Sequence, residues 1–145
     1  MFRNMLKDCK IVRIMNAIAA NSNGTQTGTV VTMDGFDSVC AVLDLAAVTD
    51  TATVTLRAGD GSLSNGADKA NIAGASATLT ASTSSNFQVV LDVQKPLLEY
   101  VTFSVDQAVA NSAIGSMTAY LYNAKNIPVT QPSSVAASTF KVANS

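Results

Sequence analysis

The sequence predicts an all-β protein, an antiparallel β-sandwich of jelly-roll-like form with an arm at each end. Apolar and polar residues alternate along several short runs, as expected of strands that bury one face. Turns rich in Gly, Asn and Asp separate these runs at the regular spacing typical of sandwiches and barrels. Of the 145 residues 48% are hydrophobic but only 6% are aromatic, so we expect a core of Val, Leu, Ile and Ala.

The clearest pattern lies between residues 87 and 123, where three alternating runs follow one another. Because short breaks join these runs, we expect an antiparallel meander with one buried face. The residues expected to face the core are Phe87, Val89, Leu91, Val93, Val101, Phe103, Val105, Met117, Ala119 and Leu121.

Further strands are predicted from the remaining chain, to a total of seven to nine. Residues 38–45 are apolar almost throughout and indicate a strand buried on both faces or a continuous core strand, whereas 51–57 alternate clearly. Residues 21–28 have the composition of a loop. The pattern of residues 67–77 leaves a weak strand and a short helix equally open. Strands are also predicted at residues 29–33 and 75–81.

The chain divides into three predicted segments. Residues 1–20 carry four of the nine basic residues and form an N-terminal arm, as a short helix or a strand. Residues 21–130 form the sandwich. Residues 131–145 form an extended C-terminal tail, because Pro128 and Pro132 prevent a central strand there and the composition beyond is small and polar. Within this tail, residues 139–142 could dock as a strand on a sheet edge.

Composition argues against several classes of function. Histidine is absent, which removes histidine-based catalysis and the usual metal sites. The net charge is −1 and no basic tract occurs, so we expect no nucleic-acid partner. No run of about 18 uncharged apolar residues predicts a membrane span. We therefore predict a protein that is not an enzyme, with no catalytic residue, no metal and no cofactor.

One polar loop resembles a calcium-binding loop in part. Asp60, Ser62, Asn65 and Asp68 supply oxygen atoms, but the closing position holds Asn71 where an acidic residue is needed. We therefore interpret it as an ordinary solvated loop. The two cysteines, Cys9 and Cys40, are interpreted as reduced and partly buried thiols, although a disulfide between them stays open.

Residues 93–138 resemble a group of small proteins often encoded beside the major capsid protein of tailed bacteriophages. The motifs that carry the resemblance are Lys95-Pro96, Tyr100-Val101, Ala110-Asn111, Tyr122, Lys125 and Pro128-Val129-Thr130. The resemblance implies a capsid decoration, or cement, protein on the outer surface of the virion, assembled in the host cytoplasm. It implies the major capsid protein as partner, together with sister copies as a dimer, a trimer or lattice neighbours.

Contact with the shell or with a sister copy is expected through apolar arms and through strand addition at a sheet edge. Tyr120 and Tyr122 share one strand face, which suits cross-strand packing, an interface or the stacking of a sugar. The alternatives are therefore a carbohydrate- or receptor-binding module of a fibre or tail, and a head–tail connector or tail-tube protein. The predicted interface residues are Phe2, Met5, Leu6, Tyr120, Tyr122, Phe140 and Val142.

Overall fold

Nine strands and one short helix make up most of the part of the chain that the computed structural model describes, residues 4–19, 24–48, 52–81, 84–107 and 112–139. The helix α1 comes first and is followed directly by β1. The elements are α1 Met5–Asp8, β1 Lys10–Met15, β2 Gly24–Thr27, β3 Val31–Thr32, β4 Phe36–Val48, β5 Ala52–Gly61, β6 Ala70–Ala81, β7 Ser84–Gln94, β8 Tyr100–Gln107 and β9 Ser112–Ala124.

The strands form two antiparallel sheets packed face to face. Sheet I has the order β1-β9-β4-β7, and sheet II has the order β2-β8-β5-β6. The short strand β3 also pairs with β8, beyond β2, so β2 and β3 together make one interrupted edge. This order, in which most strands adjacent in the chain lie in different sheets while β5 and β6 pair with each other, is that of a jelly roll. The predicted all-β, jelly-roll-like sandwich is confirmed.

The predicted meander of the last three strands is wrong. β7 pairs with β4 in sheet I, β8 pairs with β5 in sheet II, and β9 returns to sheet I between β1 and β4. A short connection can lead to the next strand of the same sheet or across to the opposite sheet. The alternation of side chains fixes which face a strand buries, but it does not select the neighbour.

The core lies between the two sheets, on the faces that the alternation predicts. Val101, Phe103 and Val105 of β8 are fully buried, and the apolar side of β9 is buried as well. On β7, Val89, Leu91 and Val93 are buried and Phe87 is partly buried. β4 lies between β9 and β7 in sheet I and buries Val39, Ala41, Leu43 and Leu45, which agrees with the core strand predicted at residues 38–45.

The structure corrects the sequence prediction for one polar segment and settles it for another that was left open. Residues 21–28 were expected to be a loop, but Gly24–Thr27 form β2 on the edge of sheet II. An edge strand with few buried side chains shows no apolar alternation, and here the hydroxyl of Thr25 is fixed instead by Asp106 at 2.6 Å. The undecided stretch at residues 67–77 contributes to β6, which begins at Ala70.

Candidate interaction surface

Four loops meet at one end of the sandwich because of how the strands are aligned. β4 begins beside the end of β9 and the end of β7, and β5 ends beside the start of β8. The connections at these strand ends therefore lie together. We call this region the loop end and define it as residues 33–35, 62–69, 95–99 and 125–129.

The loop end exposes large apolar side chains. Leu97 is 95% exposed, Ile127 57%, Leu63 49% and Leu98 44%. Each lies in a loop that meets at this end, so four of the six exposed large hydrophobic residues in the described chain are gathered there. Single exposed apolar residues are common on protein surfaces, but a group of them in one region is typical of an interaction site.

The two leucines of the 95–99 loop are held by a carboxylate at the end of β5. Oδ2 of Asp60 accepts hydrogen bonds from the backbone N–H groups of Leu97 at 3.1 Å and Leu98 at 3.2 Å. The loop is also tied at its start, where the N–H of Lys95 donates to the carbonyl of Asp37 at 2.9 Å. Leu97 is therefore exposed on a loop whose backbone is held by defined hydrogen bonds.

A second carboxylate fixes the loop that carries Leu63. Oδ2 of Asp68 accepts from the backbone N–H of Ser62 at 2.8 Å and from its hydroxyl at 2.6 Å, while Oδ1 accepts from the N–H of Leu63 at 3.0 Å. The bond from the Ser62 hydroxyl is the main cause of a lowered pKa of Asp68. Asn65 likewise accepts from the N–H of Ala67 at 3.0 Å.

These bonds explain what the polar loop does. The carboxylates of Asp60 and Asp68 serve as acceptors for backbone N–H groups and shape the two loops. Within residues 4–19, 24–48, 52–81, 84–107 and 112–139, no group of three or more acidic or cysteine residues is placed to hold a metal ion.

A cleft of about 390 Å³ lies beside the exposed leucines, between residues 33–37 and 95–99. Its charged groups have both signs, and Asp37 and Lys125 approach each other at 4.0 Å. The carboxylates of Asp34 and Glu99 also line it. An exposed ion pair of this kind contributes little to stability. The cleft lies beside the loop that carries Leu97 and Leu98.

The two tyrosines predicted at an interface lie elsewhere, on the outer face of sheet I. Tyr120 and Tyr122 share that face and are partly buried. The hydroxyl of Tyr122 donates to the carboxylate of Asp92 across β4, at 2.7 Å to Oδ1. Partial burial, followed by the nearby Asp92 carboxylate, raises the pKa of Tyr122. The ring is thus fixed on the sheet, and its hydroxyl is already bonded.

The remaining predicted interface residues are divided between α1 and the chain ends. Met5 is 56% exposed and Leu6 is partly buried, both on α1 beside the loop end. Phe2, Phe140 and Val142 lie outside the described residues.

Sequence reasoning missed the four apolar residues of the loop end. The available signal was local: Leu97 and Leu98 follow Pro96 in a break between two strands, where no alternation gives them a core to enter. Leu63 and Ile127 likewise interrupt polar breaks. A pair of leucines in a turn between two strands therefore indicates an exposed apolar surface, because the turn has no core in which to bury them.

Both cysteines are free thiols, Cys9 buried and Cys40 partly buried. Burial is the main cause of a raised pKa in each thiol; the neighbouring Cys40 adds to it at Cys9, and Asp92 adds to it at Cys40. In the described part of the chain, no helix has the length and apolar character needed to cross a membrane.

No family model and no curated protein matches the sequence. Among solved structures, a chain of "Structure of infectious bursal disease virus Gx strain" is similar over 84% of this chain and 33% of that chain, with a TM-score of 0.42 and 9% sequence identity. This chain thus spans about a third of that chain's length. A likeness of this extent carries no inference about function.

Proposed function

We propose that the protein is a virion structural protein that binds the outer capsid surface and stabilises the shell, as a decoration or cement protein. The observation that carries the proposal is the loop end, where Leu63, Leu97, Leu98 and Ile127 are exposed together. The leucine pair also lies within the segment that resembles phage decoration proteins. The proposed partner is the major capsid protein.

The physical basis of the proposed contact is burial of apolar surface from a loop that is already ordered. Burying a leucine side chain contributes about 1.5–3 kcal/mol. Ordering a side chain at an interface costs about 0.5–1.5 kcal/mol, and backbone bonds such as those from Leu97 and Leu98 to Asp60 reduce the conformational freedom that binding must remove. A few such contacts are weak singly, but copies placed next to one another on a lattice give high avidity.

The helix α1 extends the proposed contact. It lies beside the loop end, since the N–H of Val129 donates to the carbonyl of Lys7 at 2.7 Å. Met5 projects from this helix and is exposed. We propose that Met5 and Leu6, with Phe2 at the N-terminal end and Phe140 and Val142 in the tail, add apolar contacts to the shell or to a sister copy.

The proposal is tested by binding of purified protein to capsids stripped of it, measured by co-sedimentation. Leu97→Asp places a charge in the proposed contact and should weaken binding at least about tenfold, because burying an unpaired charge costs several kcal/mol. The matched control is Thr27→Asp, an equal change in charge at an exposed position that pairs with Ser104 on the outer face of sheet II. It should bind like wild type.

Copy number provides an independent test. Quantitative mass spectrometry of purified virions should give hundreds of copies, as expected for a protein that covers the shell. A dozen copies or fewer would overturn the proposal in favour of a connector, tail or fibre protein. Equal binding by Leu97→Asp and wild type would show that the loop end is not the contact.

A further inference from the structure

The four sheet edges are protected very unequally. On one side of the sandwich, β1 carries Lys10 and Arg13 and is capped by the side chain of Gln131, whose Oε1 accepts from the N–H of Ile11. The other edge on that side consists of the short, interrupted strands β2 and β3. Charges, caps and short edge strands are the usual means by which proteins prevent edge-to-edge pairing.

The opposite side has fewer of these protections within its described strands. β6 and β7 each pair with a single strand among those described, β5 and β4 respectively. β6, at Ala70–Ala81, has no charged residue and no proline, and β7, at Ser84–Gln94, has only Asp92. The two strands pack beside each other, so both open edges face the same way.

β7 is the more regular of the two edges. Its register with β4 is unbroken from Gln94 opposite Ser38 to Phe87 opposite Leu45. β6 has a register shift against β5 and a glycine with positive φ, Gly74, whereas the positive φ of β7, at Asn86, lies before its unbroken stretch. A regular, extended edge with unpaired backbone groups is a template for a further strand.

We propose that β7 pairs antiparallel with β7 of a second copy of this chain, about a twofold axis through Val90. Such an isologous contact closes on itself as a dimer. It joins the two copies of sheet I into one continuous sheet. Because β6 lies on the same side, the β6 edges of the two copies also approach each other.

The alternation of faces along β7 restricts the registers in which it can pair with β7 of a second copy. Directly opposed residues of an antiparallel pair lie on one face, so a shared core face requires an axis that passes through a residue. With the axis at Val90, this residue, which is 53% exposed on the outer face, packs against its own copy. On the same face the amide of Gln88 lies opposite the carboxylate of Asp92, twice.

The inner face is also self-complementary in this register. Val89 lies opposite Leu91, and Phe87 lies opposite Val93, so apolar residues meet apolar residues throughout. An axis at Leu91 places Val90 opposite the charged Asp92, and an axis at Val89 places it opposite the polar Gln88. The sequence of β7 therefore favours the axis at Val90 over both adjacent registers that keep the same faces.

The first test is the mass in solution, measured by light scattering after size exclusion and by sedimentation equilibrium. Wild type should be a dimer. Val90→Lys places two ammonium groups directly opposite each other and should raise the dimer dissociation constant by about a hundredfold or more. Val90→Thr keeps a β-branched neutral residue and should remain dimeric. Because position 90 lies on the outer face, circular dichroism should show the same fold for all three.

The second test is a cross-link. In a background in which Cys9 and Cys40 are replaced by alanine, Val90→Cys should form a disulfide between copies under mild oxidation. Gln94→Cys should not, because position 94 lies well away from its own copy in this register.

A monomeric wild type, a dimer that Val90→Lys leaves intact, or equal cross-linking at positions 90 and 94 would each overturn the pairing. These outcomes are measured without capsids. The dimer and the proposed capsid contact are therefore tested independently, and either can fail without the other.

Discussion

The side-chain Oε1 of Gln131 accepts a hydrogen bond from the backbone N–H of Ile11 at 3.0 Å, across 120 positions of sequence. The same amide donates through Nε2 to the carbonyls of Leu6 at 2.9 Å and Cys9 at 2.6 Å. One side chain thus satisfies backbone groups of α1, of the residue that ends it and of the open edge of β1. It fastens the C-terminal segment to the N-terminal one.

Replacing Gln131 by alanine should destabilise the fold by about 1–3 kcal/mol, because partly buried backbone groups lose their partner. Urea unfolding measures the loss, and hydrogen exchange should become faster at the amide of Ile11. Gln131→Glu should destabilise the fold at least as much as alanine, since one carboxylate oxygen would face the carbonyl oxygens of Leu6 and Cys9, which repel it.

The control for this series is Asn65→Ala, which removes an amide–backbone bond in an exposed loop. Water replaces that bond, so the expected cost is about 1 kcal/mol or less. If Gln131→Ala cost no more than Asn65→Ala, the amide would not fasten the two ends.

Alanine substitutions at Gly66 and Gly74 distinguish the cost of backbone strain from the cost of a steric contact. Both have positive φ, +69° and +77°, but a Cβ on Gly66 would lie 3.0 Å from Cγ2 of Val30 and 3.2 Å from Oγ1 of Thr102, whereas a Cβ on Gly74 meets nothing within 4 Å. Gly74→Ala should therefore cost about 1–2 kcal/mol from conformation alone. Gly66→Ala should cost more, as measured by urea unfolding, and equal losses would contradict the close packing.

Local pattern predicted the faces of strands but not their neighbours. The burial of Val101, Phe103 and Val105 follows from alternation, because a strand places every second side chain on one face. The separation of β7 and β8 into different sheets depends on β4 and β5, which lie far earlier in the chain. No periodicity within a strand records that choice.

The loop end could not be predicted in full for a similar reason. The exposure of Leu97 depends on Asp60, 37 positions away, whose carboxylate holds the loop. The sequence shows only that a leucine pair follows a proline. The Gln131 cap is equally remote from its targets, and nothing local distinguishes Gln131 from the other glutamines of the chain.

Stability should fall in acid in part through Asp106. Its carboxylate accepts from the hydroxyl of Thr25 and from Nε of Arg57, both at 2.6 Å, and these bonds, Thr25 first, lower the pKa of Asp106 below the ordinary 3.8 although partial burial opposes them. A depressed folded-state pKa gives stability that is present above pH 3.8 and is lost as pH falls through the folded value.

The measurement is the free energy of unfolding of wild type and Asp106→Asn between pH 2 and 6. The difference between the two proteins should be largest above pH 4 and should shrink towards pH 2. Thr25→Val, which removes the main cause of the shift, should reduce that pH dependence. A difference that stays constant over this range would contradict the pKa assignment.

The two thiols should remain reduced and react slowly. Cys40 lies on β4, whereas Cys9 precedes β1, and β9 runs between these strands. Two strand spacings are about 10 Å, which exceeds the separation of about 7 Å that a disulfide permits between Cα atoms. Burial also raises the pKa of both thiols, which lowers the thiolate fraction at neutral pH.

Labelling with a thiol reagent at pH 7.5 should therefore be slower for the folded protein than for a free cysteine. Unfolding without reductant should release two reactive thiols per chain. Fewer than two would show that the cysteines pair within the chain or between copies.

Asp60 connects the stability of the loop end with the proposed function. Asp60→Ala removes the acceptor of the Leu97 and Leu98 N–H groups, which face solvent without it and bond to water. The fold should persist by circular dichroism, but the leucines should have to be ordered again on binding. At about 0.5–1.5 kcal/mol for each side chain, capsid affinity should fall about tenfold in co-sedimentation. Asp60→Asn retains an acceptor oxygen and should bind nearly as wild type does, so equal loss in both variants would point to the charge of Asp60 instead of the held loop.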